Sequence, residues 1–198
     1  MHEKPLVIVI SGPSGVGKDT IIAGLKKSGG HFHYVVTATT RKKRAAETDG
    51  VDYYFLSKPD FEMKIKDDEF LEYAEVYGNY YGVLKKEVKR ALDKGEDVVI
   101  KVDVQGATTL KSKIPDAVFI FLVAPSVEDL AERLTSRNAD SQKDLDLRLG
   151  KAAEEMKMLE IFDYAVVNHK DDLPRTTENV MNIVSAERCR IIQRNVNI

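Results

Sequence analysis

The chain has 198 residues, 43% apolar and 31% charged, an ordinary soluble mixture with enough apolar side chains for one substantial core, which excludes a wholly disordered chain. A formal net charge of −2 creates no global field for a polyanion, so no nucleic acid is expected as a partner, and phosphates must be held by locally clustered Arg and Lys. The lone cysteine, Cys189, excludes an internal disulfide framework and a cysteine-based zinc site, and with no targeting or membrane-spanning segment visible the expected location is the cytoplasm.

Leu6 to Ile10 is a continuous, largely β-branched run ending at Ser11-Gly12, the pattern of a strand buried on both faces of a parallel sheet. Ile21, Ile22 and Leu25 then recur at helical spacing until Gly29-Gly30, so a strand, a loop and a helix open the chain. From about Tyr34 to Asp93 the rhythm changes: strand-like pieces at Tyr53–Leu56 and Phe70–Tyr77, with turn residues around them and one short helix between, predict an inserted lobe. Asp97–Val102 and Ala117–Val123 are again short apolar runs, each followed by a helical stretch, which argues for a parallel α/β sheet flanked by helices. Val127 to Glu160 is charged and helical, with a polar interruption at Asn138-Ala139-Asp140-Ser141 suited to a hinge. Tyr164–Val167 adds a strand and Thr176–Arg194 a closing helix. The expected whole is one folding unit, with a core at about 1–33, 94–126 and 161–198, the lobe at about 34–93 and a helical lid at about 127–160.

Gly12-Pro13-Ser14-Gly15-Val16-Gly17-Lys18 fits G-x-x-x-x-G-K between a strand and a helix, the setting in which that motif cradles phosphate. Glycines allow consecutive N–H groups to converge on one anion, the helix N-terminus adds the positive end of its dipole, and Lys18 adds a full charge. Asp19 stands where Ser or Thr usually offers magnesium a hydroxyl, with Thr20 next; the acid either holds Mg2+ through water or caps the helix. Arg41 and Arg44, three residues apart in Thr37-Ala38-Thr39-Thr40-Arg41-Lys42-Lys43-Arg44, are spaced to grip a phosphate, although basic surface loops are common.

Further along stand Glu47-x-x-Gly50-x-Asp52-Tyr53-Tyr54-Phe55, Phe70-Leu71-Glu72-Tyr73-Ala74-Glu75, Gly78-Asn79-Tyr80-Tyr81-Gly82 and Val102-Asp103-Val104-Gln105-Gly106. With the phosphate loop, and in order from about Pro5 to Asp171, these resemble guanylate kinases, a family of P-loop nucleoside monophosphate kinases. The resemblance implies transfer of the terminal phosphoryl group of ATP to GMP with Mg2+, by a monomer or a homodimer. It implies that Gly12 to Thr20 bind ATP together with Arg133, Arg137 and Asn168, and that Thr37, Arg41, Arg44, Tyr53, Glu72, Tyr81, Val83 and Asp103 form the GMP site. Lys18, Arg41, Arg137 and Arg148 are then expected around the migrating group. A carboxylate such as Glu72 accepts from guanine N1–H and the 2-amino group together, a pair of donors that adenine lacks.

Without the resemblance, the favoured readings are lobe core for Tyr53 and Tyr81 and a solvated strand residue for Glu72, and Asn168 reads as a strand-end polar residue. The arginines Arg133, Arg137 and Arg148 then read as helix ion pairs with Glu132, Asp144 and Asp146. Two departures from the family pattern stand out. Val83 replaces a Ser or Thr that helps bind the base, an expected loss of about 1 kcal/mol, and Lys101 replaces an acid two residues before Asp103. The intact phosphate loop speaks against a non-catalytic interaction module, and a related kinase for another acceptor is the remaining alternative.

Overall fold

The structure, a computed structural model, describes residues 4–76, 78–135 and 142–198, the side chains of 142–146 excepted. The elements run β1 Val7–Ser11, α1 Lys18–Lys27, β2 Phe32–Tyr34, β3 Ala38–Thr39, β4 Tyr54–Phe55, α2 Lys58–Lys66, β5 Phe70–Val76 and β6 Asn79–Leu84. They continue with α3 Lys85–Asp93, β7 Asp97–Lys101, α4 Val104–Lys113, β8 Val118–Val123, α5 Val127–Thr135, α6 Gln142–Met156, a 3-10 turn at Lys157–Ile161, β9 Tyr164–Val167 and α7 Leu173–Arg188.

β1 lies at the centre of a five-stranded sheet ordered β2-β7-β1-β8-β9, parallel throughout. Its period of two sorts the apolar run between two cores. Val7 and Val9 pack with Val98, Ile100, Phe119 and, from α4, Ala107 and Leu110. Ile8 and Ile10 pack with Val99, Ile120 and Leu122 and with Ile21 and Leu25 of α1 and Val180 and Val184 of α7. Each such side chain leaving water contributes about 1.5–3 kcal/mol, so packing on both faces holds the strand that launches the phosphate loop.

The second sheet, ordered β4-β3-β6-β5, is mixed: β3 runs parallel to β4 and antiparallel to β6. Phe61 of α2 stacks on Phe70 at 4.2 Å and Tyr80 at 5.2 Å, and Ser57 caps α2 by accepting from the Asp60 N–H. α3 follows this sheet in sequence, yet its Val88 and Ala91 pack in the core under β7.

The closing helix starts earlier and stops earlier than Thr176–Arg194. Asp172 caps it, Pro174 fits its first turn, and the chain turns back after Cys189. The turn returns Arg194 to the buried Glu187, with Nε–Oε2 at 2.8 Å and Nη2–Oε1 at 2.9 Å, while Nη1 donates to the Ala117 carbonyl. Tyr164 donates its hydroxyl to the same Glu187 carboxylate at 2.5 Å. Asp97 accepts from the Leu6 N–H at 2.8 Å and pairs with Arg188, tying the entry of β1 to the end of α7. Among the described residues no helix is long and apolar enough to cross a membrane.

Candidate active site

The phosphate loop spans from buried Ser11 to α1. Gly12 has φ 144°, and a Cβ there would meet the Leu122 carbonyl oxygen at 2.4 Å, so only glycine lets β1 turn beside β8. Val16 is wholly buried, and its carbonyl accepts from Asn168 Nδ2 at 2.7 Å and from Arg133 Nη1 at 3.2 Å, while Arg133 Nη2 donates to the Asn168 carbonyl at 2.8 Å. Arg133 and Asn168 therefore brace the loop, and they line a hollow with Gly15, Gly17, Thr20, His169, Lys170 and Leu173. His169 and Lys170 had no signal in the sequence beyond their place next to Asn168.

Lys18 Nζ donates to the Gly12 carbonyl at 2.6 Å and the Pro13 carbonyl at 3.1 Å. Burial pulls its ammonium down to about 8; the carboxylates of Glu155, Asp103 and Asp19 oppose that fall and Lys101 adds to it. Glu155 reaches the loop from α6, almost buried, and accepts from the Ser14 N–H; burial pushes its carboxyl up. Nothing in Glu154-Glu155 distinguished one acid from the other in the sequence.

Asp19 does not cap α1. Gly17 occupies the N-cap position, and the Asp19 carboxylate instead holds Lys101 Nζ at 2.5 Å. Asp19, which departs from the usual phosphate-loop pattern, thus meets Lys101, which departs from the family pattern before Asp103, across 82 positions of sequence.

A cavity of about 210 Å3 opens where the two sheets face each other, and Lys18, Thr37, Tyr53, Glu72, Tyr81, Lys101 and Asp103 line it. Tyr53 and Tyr81 sit edge to face at 6.2 Å between centroids. Asp103 caps α4 by accepting from the Gly106 N–H at 2.8 Å. Glu72 is 4% exposed and lies against the first turn of α4, where a Cβ on Gly106 would stand 2.9 Å from its Oε2. Burial pushes the Glu72 carboxyl up to about 8, the neighbouring Asp103 charge pushes it the same way, and Lys113 opposes both.

Val83 belongs elsewhere. It pairs with Glu72 across β5 and β6, but it is wholly buried in the cluster of Leu71, Val88 and Val102 and does not line the cavity. An apolar side chain gains more from that cluster than from a polar hollow, so Val83 packs in the core rather than lining the cavity.

Arg41 is also outside the cavity lining. Its guanidinium is held by Glu47 in a two-point pair, Nη2–Oε1 2.7 Å and Nη1–Oε2 3.1 Å, over the rings of Tyr53 and Phe55. Glu47 also accepts from the Arg44 N–H at 2.8 Å, so one acid organises the whole basic loop. The sequence reading gave Glu47 no role. The Arg44 side chain is exposed. Arg148 lines a separate groove with Glu75, Val76, Gln105, Leu147 and Lys151, between α6 and the end of β5. Arg137 and the hinge at 138–141 lie outside the described residues, as do the side chains of Asp144 and Asp146. Lys18, Arg41 and Arg148 therefore occupy three different places rather than one ring.

The donors available to a metal are hard oxygens, the Asp19 carboxylate and the exposed Thr20 hydroxyl at the start of α1. Among the described residues no group of three or more His, Cys, Asp or Glu gathers to hold an ion. This fits Mg2+, which takes one or two protein oxygens and arrives with substrate phosphates.

The family model described as guanylate kinase matches residues 3–187. A guanylate kinase of Lactococcus lactis is 47% identical over 191 residues, covering 96% of this chain and 92% of that protein. One from Latilactobacillus sakei is 46% identical over 192 residues, covering 96% and 94%. The crystal structure of guanylate kinase from Anaplasma phagocytophilum superposes with a TM-score of 0.77 at 32% identity, over 96% of this chain and 89% of that one. The fold, the phosphate loop and these similarities agree: the chain belongs to the guanylate kinase family.

Proposed function

We propose that the chain is an ATP:GMP phosphotransferase that also accepts dGMP, acting in the cytoplasm without membrane or nucleic acid as partner. The observation that carries this reading is a single cavity bounded by Lys18 of the phosphate loop and by Glu72, a buried carboxylate able to read a base. GMP binds with its guanine on Glu72, which accepts from N1–H and the 2-amino group. Its phosphate lies toward Tyr53, Tyr81 and Thr37, where Arg41 and Arg44 swing in from the Glu47 loop. ATP lies on Gly12 to Thr20 with its base toward Arg133 and Asn168, and Lys18 leaves the carbonyls of Gly12 and Pro13 for the phosphates.

A phosphate oxygen of GMP is already deprotonated at neutral pH, so this transfer requires alignment and positive charge rather than a protein nucleophile or a general base. Asp103 orients the acceptor from the N-terminus of α4. Asp19 and Thr20 would hold Mg2+ through water, and when bound that ion would neutralise charge on the phosphates of ATP. The lid of α5 and α6 closes to bring Arg137 and Arg148 onto the migrating group, excluding water as a competing acceptor.

A coupled assay with ATP and GMP, dGMP, AMP or UMP tests the reading. GMP and dGMP turn over, and AMP is poorer by a factor on the order of 10³ or more, because it leaves the Glu72 acceptor unpaired. Comparable turnover of AMP, or none with any acceptor, would refute it.

A further inference from the structure

We infer that Lys101 is a catalytic cation of this enzyme, held by Asp19 at the boundary between the two nucleotides, where it donates to the oxygens of the phosphoryl group in flight. The inference deepens the proposed phosphotransfer and rests on it. Lys101 is the last residue of β7, beside Ile10 of β1 in the parallel register, at the carboxyl ends of the strands where open α/β sheets bind their ligands. Its side chain lines the cavity with Glu72 and Tyr81, while its ammonium reaches 2.5 Å from Asp19 on the first turn after the phosphate loop. One residue thus spans the acceptor side and the donor side.

The pair is a poor structural element. The side chains of Lys101 and Asp19 are 34% and 66% exposed, and ion pairs so open to water contribute little to folding. What the pair does fix is position. Lys101 and Lys18 line the same cavity, and two such cations in one cavity are at rest only with anions between or beside them. Asp19 supplies that anion before substrate arrives; the facing phosphates of ATP and GMP supply it afterwards.

In the transfer, the bond from the γ-phosphorus to the β,γ-bridging oxygen of ATP breaks as a bond from the γ-phosphorus to a GMP phosphate oxygen forms, giving ADP and GDP. Lys101 donates N–H hydrogen bonds to the equatorial oxygens and neither gains nor loses a proton. Because Asp19 holds it in the ground state, it acts on turnover more than on GMP binding. Asp19 is a positioning residue for Lys101 in the free protein, beside its proposed part in holding Mg2+.

Four proteins decide the matter: wild type, Lys101→Met, Lys101→Arg and Asp19→Asn. Each is measured for kcat and both KM values, for melting temperature, and by calorimetry, in EDTA, for affinity to guanosine and adenosine joined 5′ to 5′ through five phosphates. Lys101→Met should lower kcat roughly 10–100-fold with GMP KM within about threefold, and weaken the joined nucleotide about tenfold or more. Its melting temperature should stay at the wild-type value. Lys101→Arg should recover most of both losses, and Asp19→Asn should fall between it and Lys101→Met in kcat. Lys101→Met turning over within twofold of wild type would overturn the inference, as would losses that track a lowered melting temperature without recovery by Arg. Wild type lacking ATP–GMP turnover would instead refute the proposed function itself.

Discussion

Replacing Glu72 by Gln tests the site through folding and binding at once. In the free protein this carboxyl titrates at about 8 rather than at its ordinary value of 4.5, chiefly because it is buried. A folded-state value above the unfolded one means that the group favours folding fully below 4.5 and that this contribution is lost as pH rises toward and through about 8. Glutamine carries no such dependence. At pH 7 the variant without ligand is therefore expected to be about 3 kcal/mol more stable than wild type, an upper bound, with the two converging below pH 4.5. Binding moves the other way. Gln offers one acceptor where guanine presents two donors, so GMP affinity should fall about 10²–10³-fold and the preference over AMP should largely vanish. Guanine donors also favour the ionised carboxylate, so wild type should release up to one proton per GMP at pH 7 and the variant close to none. Urea unfolding between pH 4 and 9, and calorimetry in buffers of differing ionisation enthalpy, read both quantities. A variant no more stable than wild type at pH 8, together with GMP binding that exchanges no proton, would show that Glu72 is already ionised in the free protein and that the reasoning fails.

Two further substitutions probe residues the site leaves out or leans on. Val83→Thr puts a hydroxyl into the cluster of Leu71 and Val88, and should lower stability by about 1–2 kcal/mol while GMP KM stays within about twofold; a tenfold fall in KM would mean that position 83 reaches the base. Arg194→Met leaves the buried Glu187 carboxylate without its main partner and should cost about 2–4 kcal/mol at pH 7. Arg194 holds that carboxyl below 4.5, so its contribution is present above that value and lost in acid, and the urea midpoints of variant and wild type should converge as pH falls further below 4.5.

What sequence could reveal depended on how far apart the cooperating residues lie. β1 and the phosphate loop were legible because one unbroken stretch carries the apolar run, the glycines and Lys18. The cavity residues Thr37, Tyr53, Glu72, Tyr81 and Asp103 came through the resemblance, and the structure gathers them in one place. Local pattern could not reveal pairings made across the fold. Asp19 and Lys101 each stood out alone, yet their contact depends on β7 lying beside β1. Glu47 is close in sequence to Arg41, but an acid in a basic loop looks like solvation until its two oxygens are seen on one guanidinium. α7 ends short of Arg194 because, although apolar residues beyond Arg188 continue a helical spacing, the Arg194–Glu187 pair requires the chain to turn back.

The central place of β1 has a consequence for biosynthesis. Ile8 rests between Val99 and Val118, so this apolar strand leaves the ribosome long before either neighbour exists. Asp97, which also holds the Leu6 amide, gains Arg188 later still. During translation this stretch is an unpaired, sticky ribbon, and assembly of the large sheet is a late, cooperative event. The interval of greatest aggregation risk for this enzyme therefore falls on the nascent chain, where a chaperone that shields a short aliphatic segment would do the most good.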